Sequence, residues 1–384
     1  MWIEREISKQ ISGSVATFPA VILTGARQTG KTSLLKRLFP EYSFVTLDLP
    51  SNAELAEREP QSFIERYPPP IIVDEVQYAP GLFRYLKNNI DGKRDQYGRF
   101  ILTGSQKFTL MKNVSDSLAG RCAIFELETL SASEVLSAKK ISTMEMILTG
   151  GFPELHARED LRRDLFYQSY TATYLERDVR SILNIGQLRD FERFLRACAL
   201  RSGQILNKSE VARDVGISPT TVGEWLSVLQ ASNQVVLLEP WFNNKTKSLI
   251  KSPKIYFNDT GLLCYLTSIS NIDELTRSPF IGSIWETFVF SELRKRQVFV
   301  SGKWDIWFWR DNRGTEVDFL IHKGGRFELI EAKFSEVPVK KDAKNLEEVA
   351  GVLGRKNIEK MTIVSRTDTA FPLTDGITVV PIVS

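Results

Sequence analysis

The sequence predicts an α/β protein whose first third forms a parallel β-sheet and whose later part adds helices, a helix-turn-helix region and a second α/β region. Short apolar runs that end in small or polar residues recur through the first third, and segments with helical spacing lie between them. The runs are continuous rather than alternating, which is typical of strands buried on both faces. A parallel sheet flanked by helices accounts for this pattern.

Five apolar runs are the predicted strands of that sheet. They are residues 20–24, 44–47, 71–74, 100–103 and 123–127, with helical spacing at 33–39 and 81–90. The pattern is helical from about 131 to 201, helix-turn-helix from 204 to 260, and helix, three strands, helix and strand from about 280 to 384. We therefore predict four domains: 1–130, 131–203, 204–270 and 271–384.

The composition excludes several classes of protein. The 384 residues carry 50 basic and 47 acidic side chains, a net charge of +3, so a nucleic-acid surface would have to be a local patch. Cys122, Cys198 and Cys264 are odd in number and far apart, which favours reduced thiols over disulfides or a zinc cluster. No apolar run reaches the roughly 18 residues of a spanning helix, and the first residues carry acids. We predict a cytoplasmic protein without a membrane contact.

A phosphate-binding loop is the strongest motif in the sequence. It follows the first predicted strand, precedes an apolar helix and has the pattern GxxxxGK[ST]. Its residues are Gly25, Ala26, Arg27, Gln28, Thr29, Gly30, Lys31 and Thr32. Backbone N–H groups and the positive end of the following helix can bind phosphate oxygens there. We expect Lys31 to reach the β and γ phosphates and the Thr32 hydroxyl to bind Mg²⁺.

Two adjacent acids end the predicted strand at 71–74. Asp74 is expected to hold the metal, directly or through its water, and Glu75 to position and polarise the attacking water. The alternative is a strand end with two solvated acids.

After the next strand, Ser105, then Thr103 and Gln106, are candidates for sensing the γ-phosphate, although a Gly-Ser turn explains them equally well. Arg121 is a candidate arginine finger, with a surface salt bridge as its alternative.

These features resemble the AAA+ ATPases, and most closely a prokaryotic group in which such a domain precedes a C-terminal half of unknown function. Five motifs carry the resemblance. They are Thr24-Gly25-Ala26-Arg27-Gln28, Val73-Asp74-Glu75-Val76-Gln77, Leu102-Thr103-Gly104-Ser105-Gln106, Gly150-Gly151-Phe152-Pro153 and Tyr174-Leu175-Glu176-Arg177-Asp178. It covers nearly the whole chain. It implies strand order 5-1-4-3-2, a helical lid and usually a homo-oligomer. The guanine-reading Asn-Lys-x-Asp pattern is missing because Asn244-Lys245-Thr246-Lys247 lacks the acid, so ATP is favoured.

Residues 204–260 are interpreted as a winged helix. A capped helix from Asn207, a turn at Gly216-Ile217-Ser218 and a second helix from Pro219 to Ser232 fit this fold. The outer face of the second helix lacks Lys and Arg. The predicted wing carries Lys245, Lys247, Lys251 and Lys254, which suit contacts to the backbone of DNA or RNA that position without specifying a sequence. The alternative is a domain used only for protein packing.

A second candidate site lies toward the C-terminus. Glu286 falls on a predicted helix, Asp318 on a strand, and Glu331-Ala332-Lys333 closes the next strand. Two carboxylates, Asp318 and Glu331, with the Ala332 carbonyl could bind a second Mg²⁺, and Lys333 could orient a water for phosphodiester cleavage. This order resembles the restriction-endonuclease-like or PD-(D/E)xK nucleases, including archaeal Holliday-junction resolvases, although the proline is absent before Asp318. A solvated hairpin edge, or such a fold that binds without cutting, is the alternative.

Three functions are compatible with these motifs. The first is an oligomeric, Mg²⁺-dependent ATPase that acts on nucleic acid through the wing and the C-terminal domain. The second is an ATP-gated nuclease that uses Asp318, Glu331 and Lys333. The third is an ATP-switched module whose helical part binds a protein. We rank them in that order.

Overall fold

A computed structural model describes residues 1–105, 110, 114, 117–175, 188–241, 252–299 and 304–382. The chain divides into two compact units. The first comprises residues 1–130, 152–158 and 231–233, and the second comprises the remainder. The predicted functional residues Gln106, Lys245, Lys247 and Lys251, and the segment from Glu176 to Asp178, lie outside the described residues. No helix in the described ranges is both long and apolar enough to cross a bilayer.

A five-stranded parallel sheet forms the centre of the first unit. Its strands are β1 (Ala20–Thr24), β2 (Ser43–Thr46), β3 (Ile71–Asp74), β4 (Phe100–Gly104) and β5 (Cys122–Glu126). They lie in the order β2-β3-β4-β1-β5, with every neighbouring pair parallel. Read from the other edge, this is the predicted order 5-1-4-3-2, so the predicted fold class is confirmed. β1, β3 and β4 are buried along their whole length.

Several helices of the described ranges surround this sheet. They are α1 (Ser8–Val15), α2 (Lys31–Leu38), α3 (Pro50–Arg58), α4 (Pro60–Arg66), α5 (Leu82–Asp91) and α8 (Pro153–Ala157), together with a 3₁₀ turn at Val76–Tyr78. Helix α5 buries Leu82, Phe83, Leu86 and Ile90, whose spacing places them on one face. That face joins the apolar core on one side of the sheet. The core fixes the carboxyl ends of β1, β3 and β4, where the predicted phosphate and acid motifs lie.

The second unit begins with helices that carry strong start signals. Its helices are α6 (Ala132–Ala138), α7 (Thr143–Thr149), α9 (Arg163–Tyr170), α10 (Leu188–Ala199), α11 (Lys208–Val215), α12 (Pro219–Ala231, whose last residue falls in the first unit), α13 (Thr260–Leu266), α14 (Ile272–Arg277), α15 (Ile281–Phe299) and α16 (Lys344–Leu353). Ser131 and Ser142 cap α6 and α7 through reciprocal bonds with Glu134 and Glu145. These capping boxes satisfy backbone N–H groups that have no partner within the helix.

A small antiparallel sheet accompanies helices α11 and α12. Its strands β6 (Gln204–Ile205), β7 (Val235–Leu238) and β8 (Lys254–Phe257) lie in the order β6-β8-β7. The Asn207 side chain caps α11, and Gly216 ends it with φ 86°. Helix α12 buries Val222, Leu226 and Leu229. We retain the winged helix as our interpretation of these elements.

A six-stranded sheet dominates the end of the chain. It contains β9 (Asp305–Arg310), β10 (Glu316–Lys323), β11 (Arg326–Ala332), β12 (Ile358–Val364), β13 (Phe371–Thr374) and β14 (Ile377–Val380), with 3₁₀ turns at Lys340–Ala343 and Arg355–Asn357. The order is β13-β14-β12-β11-β10-β9; β9, β10 and β11 are antiparallel neighbours, whereas β11, β12 and β14 are parallel. Helix α16 packs its buried face on this sheet.

Candidate nucleotide site and carboxylate cluster

The loop between β1 and α2 needs glycine at its two motif positions. Gly25 has φ 146°, and a Cβ there would collide with the carbonyl oxygen of Leu127. Gly30 has φ 91° and immediately precedes α2. Such backbone conformations are strained for other residues, because Cβ crowds the backbone. The loop geometry therefore explains both glycines of the motif and leads directly into the N-terminus of α2.

Lys31 is buried at the first position of α2. Its Nζ donates hydrogen bonds to the carbonyl oxygens of Gly25, at 2.9 Å, and Ala26, at 2.8 Å. Burial lowers the pKa of Lys31 to about 8, although the nearby Glu75 and Asp74 carboxylates oppose this shift. The ammonium is therefore held by neutral oxygens of its own loop.

Thr32 and Asp74 meet across the site. The Thr32 hydroxyl donates to Asp74 Oδ1 at 3.1 Å, although the two residues are 42 positions apart in sequence. The Thr103 hydroxyl also donates to Asp74. Burial raises the pKa of Asp74, while these hydroxyl contacts act in the opposite direction. A hydroxyl beside a carboxylate is an oxygen donor set that suits Mg²⁺.

Glu75 lies just beyond β3 in a strained conformation, with φ 54°. Its carboxylate accepts hydrogen bonds from the Ser105 hydroxyl at 3.0 Å, from the Ser105 backbone N–H at 3.3 Å and from the Gln77 side-chain amide. The structure thus brings Ser105 to Glu75 and Thr103 to Asp74. Gln77 was missed as a site residue in the sequence, although its place two residues after Glu75 was a usable signal.

Arg5, in the N-terminal segment, forms hydrogen bonds to the phosphate loop. This buried side chain donates to the Thr29 carbonyl at 2.9 Å and to the Glu128 carbonyl at 2.7 Å. The sequence did not predict this role of Arg5. Its partners are backbone carbonyls far along the chain, and every residue has such a carbonyl, so no residue type marks the contact. A cavity of about 380 Å³ adjoins the same loop. Its lining includes Trp2, Ile3, Gln28, Leu130 and Pro153, so one wall is apolar and another belongs to the loop.

Arg121 forms the salt bridge that was the alternative to an arginine finger. Its Nε and Nη2 atoms donate to the two carboxylate oxygens of Asp91, each at 2.8 Å. Asp91 is the last residue of α5, and Arg121 immediately precedes β5. A bidentate pair fixes the guanidinium geometry. The described conformation therefore favours a structural role for Arg121.

A cluster of carboxylates in the second unit surrounds one buried lysine. Lys254 Nζ lies 2.7 Å from Glu286 Oε1, 2.5 Å from Glu316 Oε1 and 3.7 Å from Asp318 Oδ1. Only 1% of Lys254 is exposed. The prediction that Lys254 contacts nucleic acid from a wing surface is therefore wrong, because strand β8 directs its side chain into the protein. Glu316, two residues before Asp318 on the same strand, was missed although period-two spacing indicates a shared face.

The predicted metal ligands of this region are only partly brought together. Among the described residues, the group able to hold a metal is Glu286, Glu316 and Asp318, with oxygens within 4.8 Å of one another. Glu331 instead pairs with Lys333 at 2.8 Å. Ala332 donates its N–H to Asp318 at 2.9 Å. The structure groups Asp318 with Glu316 and Glu286, and Glu331 as a metal ligand beside Asp318 stays a prediction.

Burial shifts the protonation of these carboxyl groups. It raises the pKa of Glu331 to about 8, with the charge of Asp318 adding to the effect and Lys333 opposing it. Burial also raises the pKa of Glu286 to about 7. Glu331 Oε2 is buried and has no hydrogen-bond partner among the described residues. The cluster is therefore richer in carboxyl groups than in groups that could neutralise them.

Three family models match successive parts of the chain. One described as an AAA domain matches residues 17–136. Two described as domains of unknown function, DUF8612 and DUF4143, match residues 140–273 and 281–384. The first covers the five-stranded sheet with its phosphate loop, and the last covers the six-stranded sheet with its carboxylate cluster. The matches assign an ATPase core but leave the chemistry of the C-terminal region undescribed.

Two curated relatives each match more than three quarters of the chain. The uncharacterized protein Rv2008c of Mycobacterium tuberculosis is 30% identical over 386 residues, covering 99% of this chain and 84% of that protein. The uncharacterized protein MJ1544 of Methanocaldococcus jannaschii is 26% identical and covers 78% of this chain and 69% of that protein. Among solved structures, the Walker-type ATPase PABY2304 of Pyrococcus abyssi is 15% identical, with a TM-score of 0.47, and covers 69% of this chain and 96% of that one.

Proposed function

The chain belongs to the family of AAA-domain ATPases that carry a DUF4143 C-terminal region, and we propose that it is a Mg²⁺-dependent ATP hydrolase that acts on nucleic acid as a homo-oligomer. Its P-loop ATPase class follows from that membership. The observation that carries the ATP-hydrolase part of the proposal is the Thr32–Asp74 contact, which joins the phosphate loop to the acidic strand end. The four-domain division at residues 130, 203 and 270 is part of the same proposal.

The phosphate loop would bind the triphosphate of ATP. Backbone N–H groups from Gly25 to Thr32 and the start of α2 supply donors for phosphate oxygens. Lys31 would exchange its two loop carbonyls for phosphate oxygens, which are charged and therefore stronger partners. The cavity beside Trp2, Ile3 and Pro153 is the place we propose for the base, since its apolar wall suits an aromatic ring.

Thr32 and Asp74 would hold the Mg²⁺ ion. A bound Mg²⁺ neutralises phosphate charge and fixes the orientation of the phosphates. Thr103 keeps Asp74 in place by hydrogen bonding, which makes Thr103 a positioning residue. The pairing of a hydroxyl with a carboxylate at the end of a parallel sheet is the support for this assignment.

Glu75 is the proposed base for the attacking water. Ser105 and Gln77 donate hydrogen bonds to its carboxylate, which fixes the orientation of the side chain. A carboxylate that accepts hydrogen bonds can still orient a water through its remaining lone pairs. Ser105 would also sense the γ-phosphate through this contact. Residue by residue, the assignment of Lys31, Thr32, Asp74, Glu75 and Ser105 is a proposal.

Nucleic acid is the proposed substrate of the coupled activity. The helix-turn-helix elements α11 and α12 support it, as does the sequence of the wing with Lys245, Lys247 and Lys251. Thr220, Glu224, Ser227 and Gln230 are exposed on α12, and this set contains no basic side chain. Contacts would therefore go to the phosphate backbone rather than to base edges. Binding would weaken steeply with added salt.

The test measures ATP turnover with single-stranded, duplex and branched nucleic acids. We expect turnover to require Mg²⁺, to rise with at least one nucleic acid, and to be lost in Lys31→Ala. Lys36→Ala, a change on the same helix away from the loop, is the matched control and should retain turnover. If no nucleic acid changes the rate of ATP turnover and a protein partner copurifies instead, the proposed coupling of ATP turnover to nucleic acid is overturned. The ATPase assignment would remain. A monomer at every stage of turnover would overturn the oligomer.

A further inference from the structure

A cavity of about 300 Å³ lies between α15 and one face of the six-stranded sheet. Its sheet wall includes Ile330 of β11 and Thr362 of β12, which are partners in that parallel pair and therefore project on the same side. The next residue of β12, Ile363, packs instead in the apolar core on the α16 side. The cavity thus occupies the sheet face opposite α16, and Leu293 of α15 forms part of its other wall.

Two polar side chains of the cavity wall are buried without a hydrogen-bond partner. Thr362 is 3% exposed and Trp304 is 6% exposed, and both line the cavity. Neither Thr362 Oγ1 nor Trp304 Nε1 has a partner among the described residues. Buried polar groups in native proteins are nearly always paired, because losing water without gaining another hydrogen bond destabilises the fold. Both groups can donate, so what the wall lacks is an acceptor atom.

The opening of the cavity carries two cations that no acid neutralises. Lys323 and Arg326 line the cavity, are exposed, and lie directly opposite each other in the β10–β11 hairpin. Like charges in this position destabilise an antiparallel pair. Neither cation makes an ion pair with a described residue, whereas Lys360, also in the lining, faces Glu328 at 3.9 Å. An anion at the opening would relieve the repulsion between Lys323 and Arg326.

The volume of the cavity limits the size of its occupant. An apolar cavity of about 150 Å³ holds benzene, so a cavity of about 300 Å³ suits a body of two fused rings. Its walls include the apolar side chains of Leu293, Ile330 and Val380. Apolar walls with a few placed polar groups are typical of small-molecule sites.

The unpaired hydroxyl and the cation pair lie apart along the sheet. Thr362 is the partner of Ile330, and Ile330 is four residues along β11 from Arg326, which is roughly 13 Å at the rise of a strand. The arginine and lysine side chains shorten this span. A molecule that meets both features therefore carries its acceptor and its anion about 10 Å apart.

We propose that this cavity binds a small aromatic carboxylate that carries a hydrogen-bond acceptor at the end opposite the carboxylate. The aromatic body occupies the apolar space, and its acceptor receives a hydrogen bond from Thr362 or Trp304. The carboxylate lies beside Lys323 and Arg326, since a planar carboxylate matches the fork of a guanidinium. The site does not depend on ATP turnover or on nucleic-acid coupling.

The test titrates the full chain with 6-hydroxy-2-naphthoate by isothermal calorimetry, without nucleotide. Two matched probes each remove one feature: 2-naphthoate lacks the inner oxygen, and 6-hydroxy-2-naphthamide lacks the charge. We expect one equivalent of the first probe to bind. The probe without the inner oxygen should bind about three- to tenfold more weakly, and the uncharged probe about tenfold more weakly or worse.

Variants locate the bound probe in the cavity. Thr362→Val should weaken binding of 6-hydroxy-2-naphthoate but not of 2-naphthoate, which has no acceptor for the hydroxyl. The same change should raise the melting temperature, because a methyl group replaces an unpaired buried hydroxyl. Val380→Phe, which fills the cavity, should abolish binding of both probes. Val352→Phe, at an exposed valine of α16, is the matched control and should bind as the parent.

Charge removal at the opening provides a second set of variants if Val380→Phe folds poorly. Lys323→Met with Arg326→Met should weaken binding of both naphthoates about tenfold or more and leave binding of the amide unchanged. A parent chain that binds none of the probes would overturn the proposal. So would naphthoate binding that neither Thr362→Val nor the double variant weakens. A melting temperature that falls in Thr362→Val would also overturn it, because the hydroxyl would then have a structural partner.

Discussion

The phosphate loop and the C-terminal cluster each combine a buried lysine with carboxylates, yet the lysines have opposite partners. Lys31 donates to two neutral carbonyl oxygens of its own loop. Lys254 contacts carboxylates from two other elements. Burial lowers the pKa of Lys31, whereas the surrounding acids overcome the same effect and raise the pKa of Lys254 well above its usual value. One lysine is therefore weakly held and the other strongly held.

The acids of the two sites differ in the same way. Asp74 is held by the hydroxyls of Thr32 and Thr103, and Glu75 by Ser105 and Gln77, all neutral donors. The carboxylates around Lys254 are held by cations. The first site therefore holds its acids by hydrogen bonds from neutral groups, whereas the second holds them by ion pairs.

The substitution Glu75→Gln should have the largest effect on ATP turnover and tests this difference between the two sites. The amide keeps the shape of the side chain but removes its basicity, so we expect ATP turnover to fall by about 10²–10⁴-fold while ATP binding is retained. Steady-state turnover and equilibrium binding of a fluorescent ATP analogue check the two parts. Glu65→Gln, on the outside of α4, is the control and should behave as the parent. Turnover near the parental rate in Glu75→Gln would remove Glu75 from its proposed role.

A smaller effect concerns the pH dependence of stability in the second site. The pKa of Glu331 is raised to about 8, mainly by burial, against a usual value near 4.5. Between these two values the folded chain binds a proton that the unfolded chain releases, so stability falls as the pH rises. The slope from this group approaches about 1.4 kcal/mol per pH unit.

Glu331→Gln removes that titration. Urea unfolding at intervals from pH 5 to about pH 8 should show a shallower loss of stability in Glu331→Gln than in the parent. Glu336→Gln, an exposed acid beyond the same strand, provides the reference for a surface change. Equal slopes in Glu331→Gln and the parent would mean that Lys333 keeps Glu331 ionised.

The sequence predicted the first site more fully than the second for a physical reason. Gly25, Gly30, Lys31 and Thr32 act through local backbone geometry, so their spacing is fixed within one loop and the following helix turn. Strand order was also predictable, since continuous apolar runs indicate a buried parallel sheet and the motif resemblance supplies its order. Local constraints leave a signal in local sequence.

The second site depends on contacts that no local pattern encodes. The sequence predicts an exposed Lys254, because this residue follows other lysines. The direction of its side chain becomes known only from the pairing of β8 with β7 and β6. Its partners lie 32 to 64 residues away, at Glu286 and Asp318. Arg5 was also not predicted as a site residue, because its partners are distant backbone carbonyls, those of Thr29 and Glu128. Long-range polar contacts to backbone leave no mark on spacing.

The smallest expected effect concerns Arg121, an arginine of the first unit that precedes the amino end of β5 and whose partner is an acid, as for Lys254. If the pair with Asp91 is its role, Arg121→Ala should change turnover far less than the roughly 10³-fold loss that follows removal of an arginine finger. Asp91→Ala is the matched variant, and the double variant should unfold at about the same temperature as either single variant, because each change breaks the same pair. A large loss of turnover in Arg121→Ala alone, with Asp91→Ala fully active, would show that the guanidinium leaves Asp91 to act on nucleotide, and that an acid partner does not by itself remove a cation from catalysis.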